Sequence, residues 1–152
     1  MNKILLYAED DAAAAVTLRQ ALLAADLPLS LHVIREGTAA IAYLSGKGIY
    51  SDRNAFPLPD VIISNLNPKA KNPYEVLEWV RHQKQFRNLS FIFHVSEITS
   101  ADLREAVELG ANSCFEKTTN CRKVLDYLRG KLADFAVRSA CAQRDRAIRA
   151  NA

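Results

Sequence analysis

A sheet of five parallel strands with helices on both faces is the fold this sequence predicts, and three observations carry it. Short apolar runs rich in β-branched residues, such as Val61–Ile63 followed by Leu66 and preceded by Pro59-Asp60, read as strands buried on both faces. Helical stretches separate these runs, and the alternation repeats five times, the pattern of a doubly wound sheet. Polar residues stand at the C-terminal ends of the runs, where open α/β sheets place their ligands.

The elements follow in order. Lys3–Ala8 is a strand ending in Glu9-Asp10-Asp11. Ala12–Ala25 is alanine-rich, with Val16, Leu18, Leu22 and Leu23, a helix whose start is favoured by the acid just before it. Pro28 breaks that pattern, Leu29–Ile34 is the second strand, and Thr38–Leu44 the second helix, buried through Ala39, Ala40, Ile41 and Leu44. A long polar loop, Gly46–Pro59, leads to the central strand, at whose C-terminal end stands Asn65. Pro73 suits the first turn of a third helix running to about His82, with Val76, Leu77 and Val80 on one face. Ser90–Ser96 is the fourth strand, Ala101–Leu109 a helix stopped by Gly110, Ser113–Glu116 the fifth strand, and Thr119 the cap of a last helix reaching beyond Phe135.

A chain of 152 residues is long enough for one domain with a proper core. The formal charge of +3 is local: from Arg129 onward six basic residues face Asp134 and Asp145, so the tail carries +4 and the rest −1. The apolar run near the start is too short for the core of a signal peptide, and no segment is long and apolar enough to span a bilayer. Cys114, Cys121 and Cys141 lack metal-ligand or CxxC spacing, so reduced thiols and a cytoplasmic location are expected.

Glu9-Asp10, Asn65 and Ser96 end three strands at one edge, and Lys117 joins them after the fifth. These residues, with Glu108-Leu109-Gly110-Ala111, resemble in order and spacing the receiver domain of two-component response regulators, a flavodoxin-like fold. The resemblance covers residues 1–132 as a receiver-like domain and leaves 133–152 as a basic helical extension. The loop from Tyr43 to Asp60 resembles the single-domain subgroup that partners phytochrome-type histidine kinases.

In that family an aspartate at the third strand end takes a phosphoryl group, an acidic pair holds a divalent metal, and a hydroxyl and a lysine bind the product. Mg²⁺ suits such a shell of carboxylates and water. The resemblance puts Glu9, Asp10 and Asn67 at the metal position, Ser96 and Lys117 on the phosphoryl group, and Asn65 where the nucleophile stands. An amide nitrogen's lone pair is delocalised and its carbonyl oxygen is neutral, so the expected pocket is degenerate, with no catalytic residue. Metal affinity should fall too, because losing a carboxylate about 4 Å from a cation forfeits up to several kcal/mol gross. No cofactor is expected beyond weakly held Mg²⁺, and Lys117 is expected in the metal's place beside Glu9 and Asp10.

Other departures accompany this one. The loop after the site reads Asn67-Pro68-Lys69 and Asn72-Pro73, the proline expected after the lysine is Thr118, and the aromatic switch position is Cys114. A grouped loss reads as a natural pseudo-receiver rather than a single engineered change. His94 shares the phase of Ser96 and is expected as a hydrogen-bonded core histidine, and Gly46-Lys47-Gly48 lacks the spacing of a Walker loop.

The expected function is phosphorylation-independent, non-enzymatic signalling through protein contact. The resemblance implies a histidine kinase or downstream regulator docking on residues 101–132, and the C-terminal helix offers a homodimer contact. Three alternatives are weighed: a conventional acceptor using Asp10 or Asp11, an FMN-type enzyme, and a nucleic-acid binder through the tail. Against the second stands the missing phosphate loop after Lys3–Ala8. Against the third stands the lack of aromatic residues among the arginines beyond Phe135.

Overall fold

The structure, a computed structural model, describes residues 2–35, 37–65 and 74–152. Pro73 and Asn67, expected at a helix start and near a metal, lie outside these. The described chain forms two compact units, Met1–Cys121 and Arg122–Ala152.

The first unit contains β1 (Lys3–Ala8), α1 (Ala12–Ala24), β2 (Leu29–Ile34), α2 (Gly37–Ser45), β3 (Val61–Asn65), α3 (Glu75–His82), β4 (Ser90–Val95), α4 (Ser100–Glu108) and β5 (Ser113–Glu116). Strand order is β2-β1-β3-β4-β5, and every pairing is parallel. The central strands β3 and β4 are buried almost throughout, which is why their sequences show no polar alternation.

Period-two alternation divides the sheet's side chains between its faces. Leu6, Ala8, Ile62, Phe91 and Phe93 join Tyr43, Leu44, Leu77 and Val80 in one core cluster. Leu5, Tyr7, Glu9, Ile63, Asn65, Ile92 and His94 take the opposite phase.

Local chemistry sets the helix starts. The Asp11 carboxylate accepts from the Ala13 amide at 2.9 Å to cap α1, and the Thr99 hydroxyl accepts from Asp102 at 3.1 Å to cap α4. Gly110 ends the α4 region with a φ of +93°, where a side chain would be strained. Thr119 is not a cap. The chain closes a turn through the Cys121 amide on the Thr118 carbonyl, Cys121 takes a φ of 52°, and the last helix starts at Arg122.

The long loop is more ordered than its polar sequence suggests. It contains one 3₁₀ turn, Gly48–Ser51, and packs Tyr50 and Phe56 against Tyr43, with ring centroids 5.2 and 5.9 Å away. Arg53 donates to the carbonyls of Tyr43 at 2.7 Å, Leu44 at 2.9 Å and Phe56 at 3.2 Å. Hydrogen bonds from a charged group contribute about 1.5–3 kcal/mol each, so Arg53→Ala is expected to lower stability by about 2 kcal/mol net of water's replacement. Urea denaturation reads this, and a change under about 0.5 kcal/mol would show that the loop holds without the clamp.

The second unit is the helix α5, Arg122–Ala150, 29 residues long. It runs unbroken across residues 132 and 133. Within it Arg129 pairs with Asp126 at 3.1 Å, and the Lys131 ammonium lies 5.8 Å from the centroid of the Tyr127 ring. From Ala136 onward its residues are exposed, Val137 and Ile148 among them.

Candidate functional site

Parallel topology brings every strand's C-terminal end to one edge. Register then aligns particular residues: Ala8 with Ser64, Asn65 with His94, and His94 with Phe115. Glu9 follows β1 with its amide on the Ile34 carbonyl at 2.8 Å, and Lys117 follows β5 with its amide on the Val95 carbonyl at 2.6 Å. Glu9, Asn65 and Lys117 are thereby brought together. Ser96, next after Val95, is exposed at the same edge.

Glu9 is the centre of the site, and its side chain is fully buried. Its Oε1 accepts from the Asn65 amide at 3.0 Å and from the Asp11 backbone at 3.1 Å. Its Oε2 accepts from the Tyr7 hydroxyl at 3.0 Å and from the Lys117 ammonium at 2.7 Å. A carboxylate offers about four lone-pair sites, so four donors leave none over. The Asn65 amide also donates to Asp10 Oδ1 at 3.3 Å. Its nitrogen thus bridges the acidic pair.

Behind Glu9 the network continues inward. Tyr7 Oη lies 2.9 Å from His94 Nδ1, and both residues are almost wholly buried. A carboxylate can only accept, so the Tyr7 proton is directed to Glu9, and His94 Nδ1–H must donate to the Tyr7 oxygen. His94 Nε2 then carries a lone pair, buried and without a hydrogen-bond partner among the described residues. Burial, reinforced by the Lys117 charge, lowers the His94 pKa from 6.5 to about 4. Burial and the neighbouring Glu9 charge push the Tyr7 phenol far above its ordinary range. His94 is therefore the hydrogen-bonded core histidine expected. Tyr7 was not singled out, although its position two residues before Glu9 on one strand puts it on the same face.

These residues fit a divalent cation poorly. Glu9 is saturated, the Asn65 amide turns donors toward both acids, and an ammonium already lies against Glu9. Among the described residues no group of three or more histidines, cysteines, aspartates and glutamates is arranged to hold a metal. The alternative acceptor Asp11 is committed to capping α1. Cys114 is half-buried beside the core cluster, and burial raises its thiol pKa, as do Asp102 and Glu116, so it stays a protonated packing residue at neutral pH.

No protein-family model matches the chain. The response regulator Rcp1 of Synechocystis is 24% identical over 128 residues, 84% of this chain and 85% of that protein. Its Mn²⁺-bound form superposes with a TM-score of 0.70. A response regulator in red light signalling of R. palustris gives a TM-score of 0.75 at 22% identity, covering 84% of this chain and 90% of its own. The bacteriophytochrome response regulator RtBRR gives 0.73 at 28% identity, covering 85% and 77%. The sheet order, the helices and these likenesses are those of the flavodoxin-like receiver fold.

Proposed function

We propose that this chain, a receiver domain of the two-component response-regulator type, signals without being phosphorylated. One observation carries the reading: the Asn65 amide and the Lys117 ammonium occupy the acidic pair that a metal and phosphoryl group would need. A neutral amide cannot attack phosphorus, and a saturated Glu9 cannot hold a metal without releasing a donor. Glu9, Asp10, Asn65, Ser96 and Lys117 then form a degenerate pocket that sets the shape of the strand ends. Such a pocket holds Mg²⁺ weakly at most, and Cys114, at the switch position, is too small to act as a rotating aromatic reporter.

Output goes through protein contact. The fourth helix exposes Leu103 and Val107, apolar side chains suited to a partner such as a histidine kinase or a downstream regulator. Two of the named relatives are a response regulator in red light signalling and a bacteriophytochrome response regulator, and a light-sensing kinase is the partner class they suggest. The long α5, with Val137 and Ile148 exposed, supplies a surface for a second copy. No helix among the described residues is long and apolar enough to cross a membrane.

The test is intact mass after incubation with Mg²⁺ and acetyl phosphate, on the natural chain and on Asn65→Asp. The natural chain is expected to gain nothing, and the variant to gain one phosphoryl group. An adduct on the natural chain, mapped to Asp10 or Asp11, overturns the reading.

A further inference from the structure

We propose that the outer edge of β2, with the aromatic groove beside it, is a docking site for an extended, acidic peptide segment of a partner protein. Among the described residues β2 pairs with β1 alone and so is an edge strand. Its register determines which backbone groups face outward. The Pro28 and Ile34 carbonyls accept from Lys3 and Glu9, so the even-numbered residues point their backbone groups at β1. In a parallel ladder the intervening residues point the other way. The amides and carbonyls of Leu31 and Val33 therefore face outward, and no hydrogen bond joins them to any described residue. The edge also lacks the usual protection, since Leu29–Ile34 holds no charge and no proline.

A groove of about 430 Å³ adjoins the C-terminal half of this strand, lined by His32, Val33, Arg35, Tyr43, Tyr50 and Phe56 among others. That volume accommodates one or two large side chains. The walls are preformed: Tyr50 and Phe56 meet edge to face at 5.1 Å between centroids, the Tyr43 hydroxyl donates to the Pro57 carbonyl at 2.8 Å, and His32 lies edge-on to Tyr43. Ile49 stands on the rim, 75% exposed. A strand added to β2 would alternate its side chains, and every second one would fall on the groove's side of the sheet.

Charge selects the occupant. Arg35, one of the residues that line the groove, is exposed and forms no ion pair or hydrogen bond with a described residue. Among the described residues that line the groove there is no carboxylate. A segment alternating apolar and acidic residues would satisfy the outward backbone groups, fill the aromatic walls and meet Arg35. This site is separate from the pocket at Glu9 and from the exposed side chains of α4, and it does not depend on whether Asn65 can be phosphorylated.

The probe is a labelled seven-residue peptide alternating phenylalanine with aspartate, and a control with lysine in place of aspartate. Fluorescence anisotropy on the full chain is expected to show saturable binding of the acidic peptide only, weakened several-fold by Arg35→Glu and by Ile49→Asp. Both substitutions are at exposed positions, and circular dichroism checks that each variant is folded. At saturating peptide, hydrogen exchange at the Leu31 and Val33 amides is expected to slow by about an order of magnitude or more. Equal binding of the lysine control overturns the charge assignment, and unaltered exchange at both amides overturns the strand addition. Protection that grows with protein concentration in the absence of peptide overturns the heterotypic partner in favour of a second copy.

Discussion

Lys117→Met is expected to destabilise the folded chain by about 3–5 kcal/mol, the cost of leaving a buried charge without its partner. Glu9 is fully buried at its side chain and Lys117 is only 18% exposed, so water cannot replace the ammonium at 2.7 Å. The three remaining donors to Glu9 are neutral and partly offset the loss, which favours the lower end of that range. In a chain of this size the change corresponds to a melting temperature lower by about 10 °C. Adding Glu9→Gln to Lys117→Met removes the uncompensated charge, and the double variant is expected to recover much of the loss. Urea denaturation of the four chains forms a closed cycle. A single variant within about 0.5 kcal/mol of the natural chain would mean that the pair contributes nothing, and the reading of Lys117 as the resident cation would fall with it.

The second large effect is a loss of stability in mild acid that originates in His94. Its pKa falls from 6.5 to about 4 on folding, so between these values the unfolded chain binds a proton that the folded chain refuses. Stability is therefore complete above pH 6.5 and declines as the pH drops toward 4, by about 3 kcal/mol in all. The groups that face the imidazole give the same sign. Lys117 repels a second cation, the Tyr7 proton is directed to Glu9, and Nε2 has no acceptor among the described residues to receive a proton's hydrogen bond. His94→Met, similar in volume and unable to titrate, is expected to flatten the stability profile between pH 6.5 and 4. Denaturation midpoints at pH 7 and pH 5 suffice to read it. An equal fall in both chains would place the acid sensitivity elsewhere, in carboxylates that lose their partners.

Both effects belong to a network that local sequence only partly announces. Glu9, Asp10, Asn65 and Lys117 were readable as neighbours because each ends or follows a recognisable strand, and parallel connection obliges strand ends to share an edge. The strands themselves were legible because burial on both faces demands runs such as Val61–Ile63 and Phe91–Phe93. Helix ends were less so. Thr119 resembled a cap, but a turn closed by Thr118 and Cys121 moved the start of α5 to Arg122, a competition between neighbouring hydrogen bonds that composition does not resolve. Loop order was missed at Arg53, whose three carbonyl partners come from two elements and depend on how the loop folds back.

By itself the sequence determined the five-stranded parallel architecture, the edge at which polar residues gather, and an amide, Asn65, at the end of the central strand. Those follow from periodicity and residue chemistry, which act over a few positions. Only the tertiary structure decided what that amide does. Asn65 reaches Glu9 across 56 residues and Tyr7 reaches His94 across 87, distances in sequence over which no local rule operates. Whether Glu9 had a vacant lone pair depended on four donors from four places in the chain converging within 3.1 Å, and that is a property of packing.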